Sequence, residues 1–270
     1  MDRLDFRKYM TDCEGLSREE IFERSARMHV ESYNSRPGED DGSGVDCPLC
    51  RNRGSVAFYN PETKRVCFRG CSCRPVSATA LRLRKIGLLE RSKRDTLDSF
   101  VTDTPVQRAL KECVEGYISA PEGRWLALFG QSGVGKTHLC TAAFCALVRR
   151  LGAEGEYLRW NADSRTIKAG ALEQGNTLFD RCTDAPLLYI DDLFKKRMDA
   201  PVSDADLRLC FELLDVRCNK RLPTILSCEL TFEELVLLDE AIAGRIREMC
   251  GPFLVSVDRD MRKNYRFCAT

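Results

Sequence analysis

The sequence has little of what membrane insertion or histidine-based catalysis requires. Only two of its 270 residues are histidines, which argues against a catalytic or metal centre built on imidazole. No apolar run approaches the roughly eighteen residues of a membrane span. The first ten residues, MDRLDFRKYM, contain no apolar stretch, and we expect no signal peptide there. These absences favour a cytoplasmic protein without a membrane partner.

Net charge is also nearly absent, at +1, but the charges are unevenly distributed. Residues 1–46 contain twelve acidic and seven basic residues, whereas residues 51–94 contain twelve basic and two acidic ones. Such a one-sided segment favours a polyanion or an acidic protein surface as its partner. Its aromatic residues Phe58, Tyr59 and Phe68 fit either stacking on single-stranded nucleic acid or a small hydrophobic core.

Cysteine, by contrast, is abundant, with fifteen residues. Without a secretion signal, we expect most of them to be reduced and buried as small apolar side chains. The segment CPLCRNRGSVAFYNPETKRVCFRGCSC differs, because a C-x-x-C pair, Cys47 and Cys50, is followed across a strand-turn-strand pattern by a C-x-C pair, Cys71 and Cys73. This arrangement predicts a structural Zn²⁺ held by four thiolates, a closed site without catalytic water. Cys67 is a fifth candidate that could replace Cys71 as a ligand, and free thiols or a disulfide are the alternative.

The stretch LALFGQSGVGKTHLCTAA contains the pattern G-x-x-x-x-G-K-[ST] between an apolar strand pattern and a helical pattern. Backbone N–H groups of such a loop, together with the helix N-terminus, bind phosphates. We expect Lys136 to contact the β- and γ-phosphates and Thr137 to ligate Mg²⁺. The residues predicted to bind ATP are Gly130, Gln131, Ser132, Gly133, Val134, Gly135, Lys136 and Thr137.

About fifty residues later, APLLYIDDLF contains an apolar run that ends in two acids. The run is typical of a central parallel strand that is buried on both faces. We expect Asp191 to hold Mg²⁺ through water, and Asp192 to act as a base or to orient the attacking water. The alternative is a core strand followed by two turn acids. Together the two motifs predict an α/β fold with a doubly wound parallel sheet of about five strands.

The chain is expected to have three parts. SREE at Ser17–Glu20 is a capping box and predicts a helix that extends to about Tyr33. Residues 1–45 would form this helix and a flexible linker, residues 46–94 a basic zinc domain and linker, and residues 95–270 the ATPase domain.

From Cys47 onward, the order of these features resembles the bacterial replicative helicase loaders of the DnaC/DnaI type, which are P-loop ATPases of the AAA+ class. The resemblance is to the branch with an N-terminal zinc domain. It implies that Cys47, Cys50, Cys71 and Cys73 are the zinc ligands, because that branch closes its motif with C-x-C and a basic residue. SKRDTLDSF is similar to the segment that leads into the family's ATPase domain, and LLYIDD matches its second nucleotide motif.

The same resemblance implies functional roles for two arginines. AIAGRIREM is similar to the box that supplies an arginine finger, at Arg245, and DRDMR resembles the terminal arginine motif, with Arg262 as the second sensor. A finger from a neighbouring copy would neutralise charge on the transferring phosphoryl group. The residues alone favour a solvated helical arginine at Arg245, and it is the resemblance that favours the finger.

One position departs from the family pattern. The family usually ends a strand with a polar run whose asparagine senses the γ-phosphate, whereas this chain has Ser227, Cys228 and Glu229. A carboxylate beside phosphates is repelled unless Mg²⁺ or an arginine compensates its charge. Either hydrolysis is altered, or the register slips and Ser227 takes part.

The resemblance implies an ATP-dependent protein that binds a hexameric replicative helicase and places it on single-stranded DNA, working as an ATP-dependent homo-oligomer. Two alternatives remain open: an IstB-like helper ATPase of transposition, and an adaptor that binds ATP without hydrolysing it. The four-cysteine domain favours the loader, since the IstB-like relatives usually carry a helical N-terminal domain. Glu229 keeps the adaptor possible.

Overall fold

The chain forms two compact units, Met1–Leu81 and Arg82–Thr270. The parts that the computed structural model describes are residues 15–39, 43–152, 154–169, 178–195 and 201–260. Within these described ranges, no helix is both long enough and apolar enough to cross a membrane.

The first unit contains a long helix, a β-hairpin and the start of a second helix. The elements that begin in it are α1 (Arg18–Ser35), β1 (Ser55–Asn60), β2 (Arg65–Gly70) and α2 (Arg74–Lys85). The predicted capping box begins α1: the Glu20 backbone donates to Ser17 Oγ at 3.3 Å, and the Ser17 backbone donates to the Glu20 carboxylate at 2.7 Å. The hairpin predicted around NPET is also observed, with β1 and β2 antiparallel.

Helix α1 is attached to one edge of the hairpin by side-chain hydrogen bonds. Asn34 both donates to the carbonyl of Ala57 at 3.0 Å and accepts from its N–H at 2.9 Å. This amide replaces the neighbouring strand that the edge of β1 lacks. The hydroxyls of Tyr33 and Ser55 lie 2.8 Å apart and strengthen the same contact.

The second unit is an α/β sandwich. Its strands are β3 (Trp125–Gly130), β4 (Gly155–Arg159), β5 (Leu187–Leu193), β6 (Thr224–Cys228) and β7 (Leu254–Val257). Its helices are α3 (Leu89–Arg94), α4 (Pro105–Ser119), α5 (Lys136–Leu151), α6 (Trp160–Ala169), α7 (Leu178–Asp184), α8 (Asp204–Asn219), α9 (Phe232–Leu238) and α10 (Glu240–Cys250), with a 3-10 turn at Gly251–Phe253. The strands are all parallel, in the order β4-β5-β6-β3-β7. The predicted doubly wound parallel sheet is therefore confirmed.

Both faces of the sheet are buried, which explains the unbroken apolar runs of its strands. Along β3, Trp125, Ala127 and Phe129 face the core beneath α6 to α10, while Leu126 and Leu128 face the core beneath α4 and α5. Because side chains alternate along a strand, each strand contributes to both cores. Because the strands are parallel, their carboxyl ends lie at the same edge of the sheet. The polar residues of the site follow the strands at this edge.

A fully buried arginine joins three parts of this unit. Arg217 on α8 donates to the carbonyls of Cys182, Ala185 and Pro223 at 2.7, 3.0 and 2.7 Å, and to the Thr224 hydroxyl at 2.9 Å. Burial lowers the pKa of this guanidinium to about 10, so it stays charged at neutral pH. Arg217 therefore connects α8 to the end of α7 and to the start of β6.

Candidate functional site

The loop between β3 and α5 adopts a conformation that requires glycine. Gly130, Gly133 and Gly135 have φ angles of 119°, 86° and 91°. At Gly135, a Cβ atom would lie 2.5 Å from a ring carbon of Phe100, so a side chain would strain the backbone and displace the ring. The loop thus lies at the carboxyl end of β3 and the N-terminus of α5, where the sequence places phosphate binding.

Lys136, the first residue of α5, is held inside this loop. It is only 4% exposed, and its ammonium donates to the carbonyls of Gly130 at 2.6 Å and Gln131 at 2.7 Å. Burial lowers the pKa of Lys136, although the negative charges of Glu229 and Asp192 act in the opposite direction. Phosphate oxygens of a nucleotide in the loop can replace these carbonyls as acceptors.

Thr137 and Asp191 meet where the loop adjoins β5. The Thr137 hydroxyl lies 3.2 Å from Asp191 Oδ1, and the same oxygen accepts from the hydroxyls of Tyr189 and Ser227, each at 2.8 Å. The other oxygen, Oδ2, accepts from Tyr157 at 2.8 Å. Hydroxyl and carboxylate oxygens are the ligand types that Mg²⁺ uses, so this pair fits the predicted metal.

Asp191 is buried but charged. Burial by itself raises the pKa of its carboxyl, but hydrogen bonds from Tyr189, Tyr157 and Ser227, together with the charge of Arg91, outweigh that effect and the pKa is lowered. The carboxylate is therefore ionised at neutral pH and attracts a cation.

Arg91 on α3 is a site residue that sequence reasoning missed. Its guanidinium lies 3.2 Å from Asp191 Oδ2 and 2.8 Å from the Tyr157 hydroxyl, and it also pairs with Asp95 at 3.3 Å. In the sequence, Arg91 counts among the basic residues of the 51–94 segment. Its position directly before SKRDTLDSF, the segment that leads into the ATPase domain, was the available signal.

Asp192, Lys195 and Glu229 form a chain of opposite charges. Lys195 Nζ lies 2.9 Å from Asp192 Oδ2 and 2.9 Å from Glu229 Oε1. Burial lowers the pKa of Lys195, but its hydrogen bonds to both carboxylates outweigh that effect and raise it. The charge of Glu229, for which Mg²⁺ or an arginine was expected to compensate, is thus paired with a lysine instead.

Ser227 lies between the two acids of β5. It donates to Asp191 Oδ1, and its Oγ accepts from the backbone N–H of Asp192 at 2.9 Å. Asp192 takes a left-handed conformation, with φ of 56°. Ser227 therefore connects the Asp191 carboxylate to the backbone of Asp192, and it takes part in the site.

The charged groups of the site and part of the glycine loop line one cavity of about 500 Å³. The residues in its wall are Arg91, Arg94, Asp95, Ser99, Phe100, Val101, Ser132, Gly133, Gly135, Lys136, Thr137, His138, Asp191, Asp192, Lys195 and Glu229. His138 was not expected in a site, yet it belongs to this wall and its Nε2 lies 2.7 Å from the Thr96 carbonyl oxygen.

Three of the loop residues predicted to bind ATP do not line the cavity and make other contacts. The amide of Gln131 exchanges two hydrogen bonds with the backbone of Asp260. The N–H of Gly130 donates to the Leu230 carbonyl at 2.8 Å. Val134 is 2% exposed and packs into the core beneath α5. These residues shape the loop, whereas Ser132, Gly133 and Gly135 face the cavity.

The predicted finger, Arg245, does not line this cavity. Arg245 on α10 donates to Asp215 Oδ1 through Nε at 2.9 Å and through Nη2 at 2.6 Å, and its guanidinium lies 4.1 Å from the Phe211 ring centroid. A finger acts on a neighbouring copy, so this location within one chain is compatible with that role. Arg262 lies outside the described residues.

Four cysteines of the first unit form a cluster. The sulfur atoms of Cys47, Cys50, Cys71 and Cys73 all lie within 4.8 Å of one another. The Cys47–Cys71 and Cys50–Cys73 sulfur distances are 3.7 and 3.4 Å. These are too long for a disulfide and close to the ~3.8 Å between thiolates on a tetrahedral zinc with 2.3 Å bonds. The donor set therefore fits Zn²⁺.

Cys67 lies apart from this cluster. It is on β2, paired with Phe58 in the hairpin register. Within the cluster, a backbone hydrogen bond from Cys73 lowers the pKa of the Cys71 thiol to about 7. The four cysteines that lie together are therefore the four that the family resemblance implies as zinc ligands.

The aromatic residues of the basic segment are partly exposed. Phe58 and Phe68 are 38% and 56% exposed. Arg69 lies over the Phe58 ring and Arg27 over the Tyr59 ring, at 5.8 and 5.4 Å. These rings are therefore available for stacking as well as packing.

No protein-family model matches the chain. Among curated proteins, it is 30% identical over 250 residues to the phage-like element PBSX protein XkdC of Bacillus subtilis (strain 168), covering 88% of this chain and 92% of that protein. It is also 25% identical over 295 residues to the uncharacterized protein YqaM of the same organism, covering 92% and 93%.

Solved structures show the same fold. The DnaC helicase loader superposes with a TM-score of 0.53 at 24% identity, over 60% of this chain and 96% of that chain. AMPPCP-bound DnaA from Aquifex aeolicus gives a TM-score of 0.50 at 17% identity, over 64% and 52%. The predicted P-loop AAA+ fold and the resemblance to DnaC-type proteins are confirmed at the level of the fold.

Proposed function

Because the chain belongs to the family of the phage-like element PBSX protein XkdC and has the fold of the DnaC helicase loader, we propose that it loads a hexameric replicative helicase onto single-stranded DNA. It binds ATP with Mg²⁺, hydrolyses ATP in a manner coupled to assembly, and works in the cytoplasm as an ATP-dependent homo-oligomer. Zn²⁺ on the four cysteines stabilises the first unit.

One observation supports this proposal above the others: Thr137 and Asp191 lie 3.2 Å apart beside Lys136 in a single cavity. In this proposal Lys136 binds the β- and γ-phosphates, and Thr137 and Asp191 hold Mg²⁺, which when bound neutralises phosphate charge. Asp192 accepts a proton from the attacking water or orients it.

The pairing of Glu229 bears on the choice between a hydrolysing protein and an adaptor. An unpaired carboxylate in the cavity would repel the phosphates of ATP. Since Lys195 lies 2.9 Å from Glu229, that repulsion is reduced and the reason for a non-hydrolysing adaptor weakens. The proposal therefore includes hydrolysis.

One basic region supports contact with single-stranded DNA. In the first unit, arginines lie beside the partly exposed rings of Phe58 and Tyr59. Basic side chains bind the phosphates of a strand, and aromatic rings stack on its bases.

The experiment is capture of hexameric helicases by the purified full-length chain, with and without ATP. We expect capture of a host or locally encoded replicative helicase that strengthens with ATP and is lost in Lys136→Ala. Capture of a transposase instead would support the IstB-like alternative. No ATP-dependent capture of any helicase would contradict the proposal.

A further inference from the structure

Lys195 lies at the junction of two strand ends within the cavity. Asp192 ends the acidic motif of β5, and Glu229 directly follows β6. The lysine bonds both carboxylates at 2.9 Å, and its side chain is 34% exposed. It lines the same cavity as Lys136 and Thr137.

The chemistry of this ammonium goes beyond charge pairing. A lysine carries three N–H donors in a compact cation. Asp192 and Glu229 each engage one of them, so a third donor can bond another oxygen in the same cavity. Lys195 lies at the edge of the sheet that the carboxyl ends of its parallel strands form, and the loop of Lys136 lies at the same edge.

We propose that Lys195 binds the γ-phosphate of ATP and thereby distinguishes ATP from ADP. This inference rests on the proposed function, because it requires a nucleotide in the loop of Lys136. ADP lacks the phosphoryl group that the ammonium contacts. Lys195 is thus a substrate-binding residue of the reaction, held in position by Glu229.

The same contact links recognition to hydrolysis. As the ammonium turns toward the γ-phosphate, Asp192 loses part of its ion pair and becomes a better proton acceptor. The water oxygen then bonds to the γ-phosphorus, and the bond from that phosphorus to the β–γ bridging oxygen breaks, leaving its electron pair on ADP. The water proton passes to Asp192.

The competing explanation is that Lys195 only neutralises Glu229. A variant with matched charge separates the two explanations. In the wild type, Lys195, Asp192 and Glu229 together carry one positive and two negative charges, a net charge of −1. The double variant K195M/E229Q retains only the charge of Asp192, which is also −1. It therefore keeps the net charge of the trio and removes the ammonium.

The test is competition of ATP and of ADP against fluorescent ADP, with Mg²⁺, in the full-length wild type, K195M, K195R and K195M/E229Q. Loss of one charge-assisted hydrogen bond should weaken ATP binding about tenfold or more in K195M. ADP, which lacks the γ-phosphate, should be weakened less, so the ratio of ATP to ADP affinity should fall. K195R, which retains a cation, should recover most of the ATP preference. The double variant should remain as defective for ATP as K195M.

Each outcome of these measurements supports or contradicts the γ-phosphate contact or the proposed function. A wild-type ratio of ATP to ADP affinity in K195M, or recovery of that ratio in K195M/E229Q, would overturn the γ-phosphate contact. If K195M does not fold, as judged by its thermal unfolding, the double variant alone makes the decision. A wild-type protein that binds neither nucleotide would instead contradict the proposed function itself.

Discussion

The Thr137 hydroxyl lies 3.2 Å from Asp191 Oδ1, although the two residues are 54 positions apart in the chain. Tyr189 and Ser227 bond the same carboxylate oxygen. Donors of the second unit therefore fix this carboxylate in place, and a metal ion that binds there meets a group that needs little reorganisation.

The first prediction concerns Asp191→Asn. The neutral amide attracts Mg²⁺ less, so the Mg²⁺-dependent part of ATP affinity should fall about tenfold or more. Affinity in EDTA should not fall, because without Mg²⁺ the loss of this carboxylate removes a repulsion of the phosphates. Fluorescent ATP titrations under both conditions measure the difference, with the exposed Asp184→Asn as the matched control. Equal Mg²⁺ dependence in Asp191→Asn and the wild type would remove Asp191 from the metal site.

The second prediction concerns Lys136→Ala. Its ammonium is the buried cation of the phosphate loop, and its loss removes charge-assisted contacts to the β- and γ-phosphates. Binding of both ATP and ADP should be abolished or severely weakened. Lys220→Ala, which breaks a surface pair with Asp184, should bind like the wild type. Wild-type affinity in Lys136→Ala would rule out the assigned role.

The sequence predicts the parts of this site that depend on local pattern. The glycine loop, the strand before it, the helix after it and the acids that end β5 all follow from short motifs. Each motif needs only its own neighbours to form, and parallel strands bring their carboxyl ends to one edge.

The remaining site residues could not be predicted because they depend on strand order and side-chain direction. Tyr157 reaches Asp191 because β4 is the edge neighbour of β5. Lys195 follows Asp192 by three residues, but its bond to Glu229 requires β6 to be adjacent to β5. No motif specifies these adjacencies. Arg91 reaches Asp191 from α3, which precedes the whole sheet.

The third prediction concerns stability. Arg217→Met keeps much of the side-chain volume but removes the donor to the buried carbonyls of Cys182 and Ala185, and also its bonds to Pro223 and to the Thr224 hydroxyl. The free energy of unfolding should fall by about 3 kcal/mol or more. Arg208→Met, on the exposed face of the same helix, should change it little. Urea unfolding of both variants tests this, and equal stabilities would show that the buried bonds contribute little.

The fourth prediction concerns the cysteine cluster. The purified full-length chain should hold about one Zn²⁺, as expected for four thiolates. Cys50→Ser should lose the metal, while Cys67→Ser, outside the cluster, should keep it. Cys50→Ser should still bind ATP, because the phosphate loop belongs to the other unit. If Cys67→Ser loses zinc and Cys71→Ser does not, the ligand set is wrong.

The fifth prediction concerns Arg245 as a finger that acts on a neighbouring copy. Arg245→Ala should bind ATP normally, because the arginine stabilises charge that develops in the transition state. Its ATPase activity, measured with single-stranded DNA and the helicase, should fall by a factor on the order of 10³. Arg247→Ala, an exposed neighbour on the same helix, should retain activity.

Mixing the two defective variants separates this role from a structural one. In a mixture of Arg245→Ala and Lys136→Ala, some interfaces join an intact loop to an intact finger, so turnover should partly return. Within one chain, Arg245 bonds Asp215 and lies over Phe211. If those contacts were its whole role, Arg245→Ala would lower the unfolding temperature, and mixing would restore nothing. Wild-type stimulated activity in Arg245→Ala would leave the arginine as a surface residue.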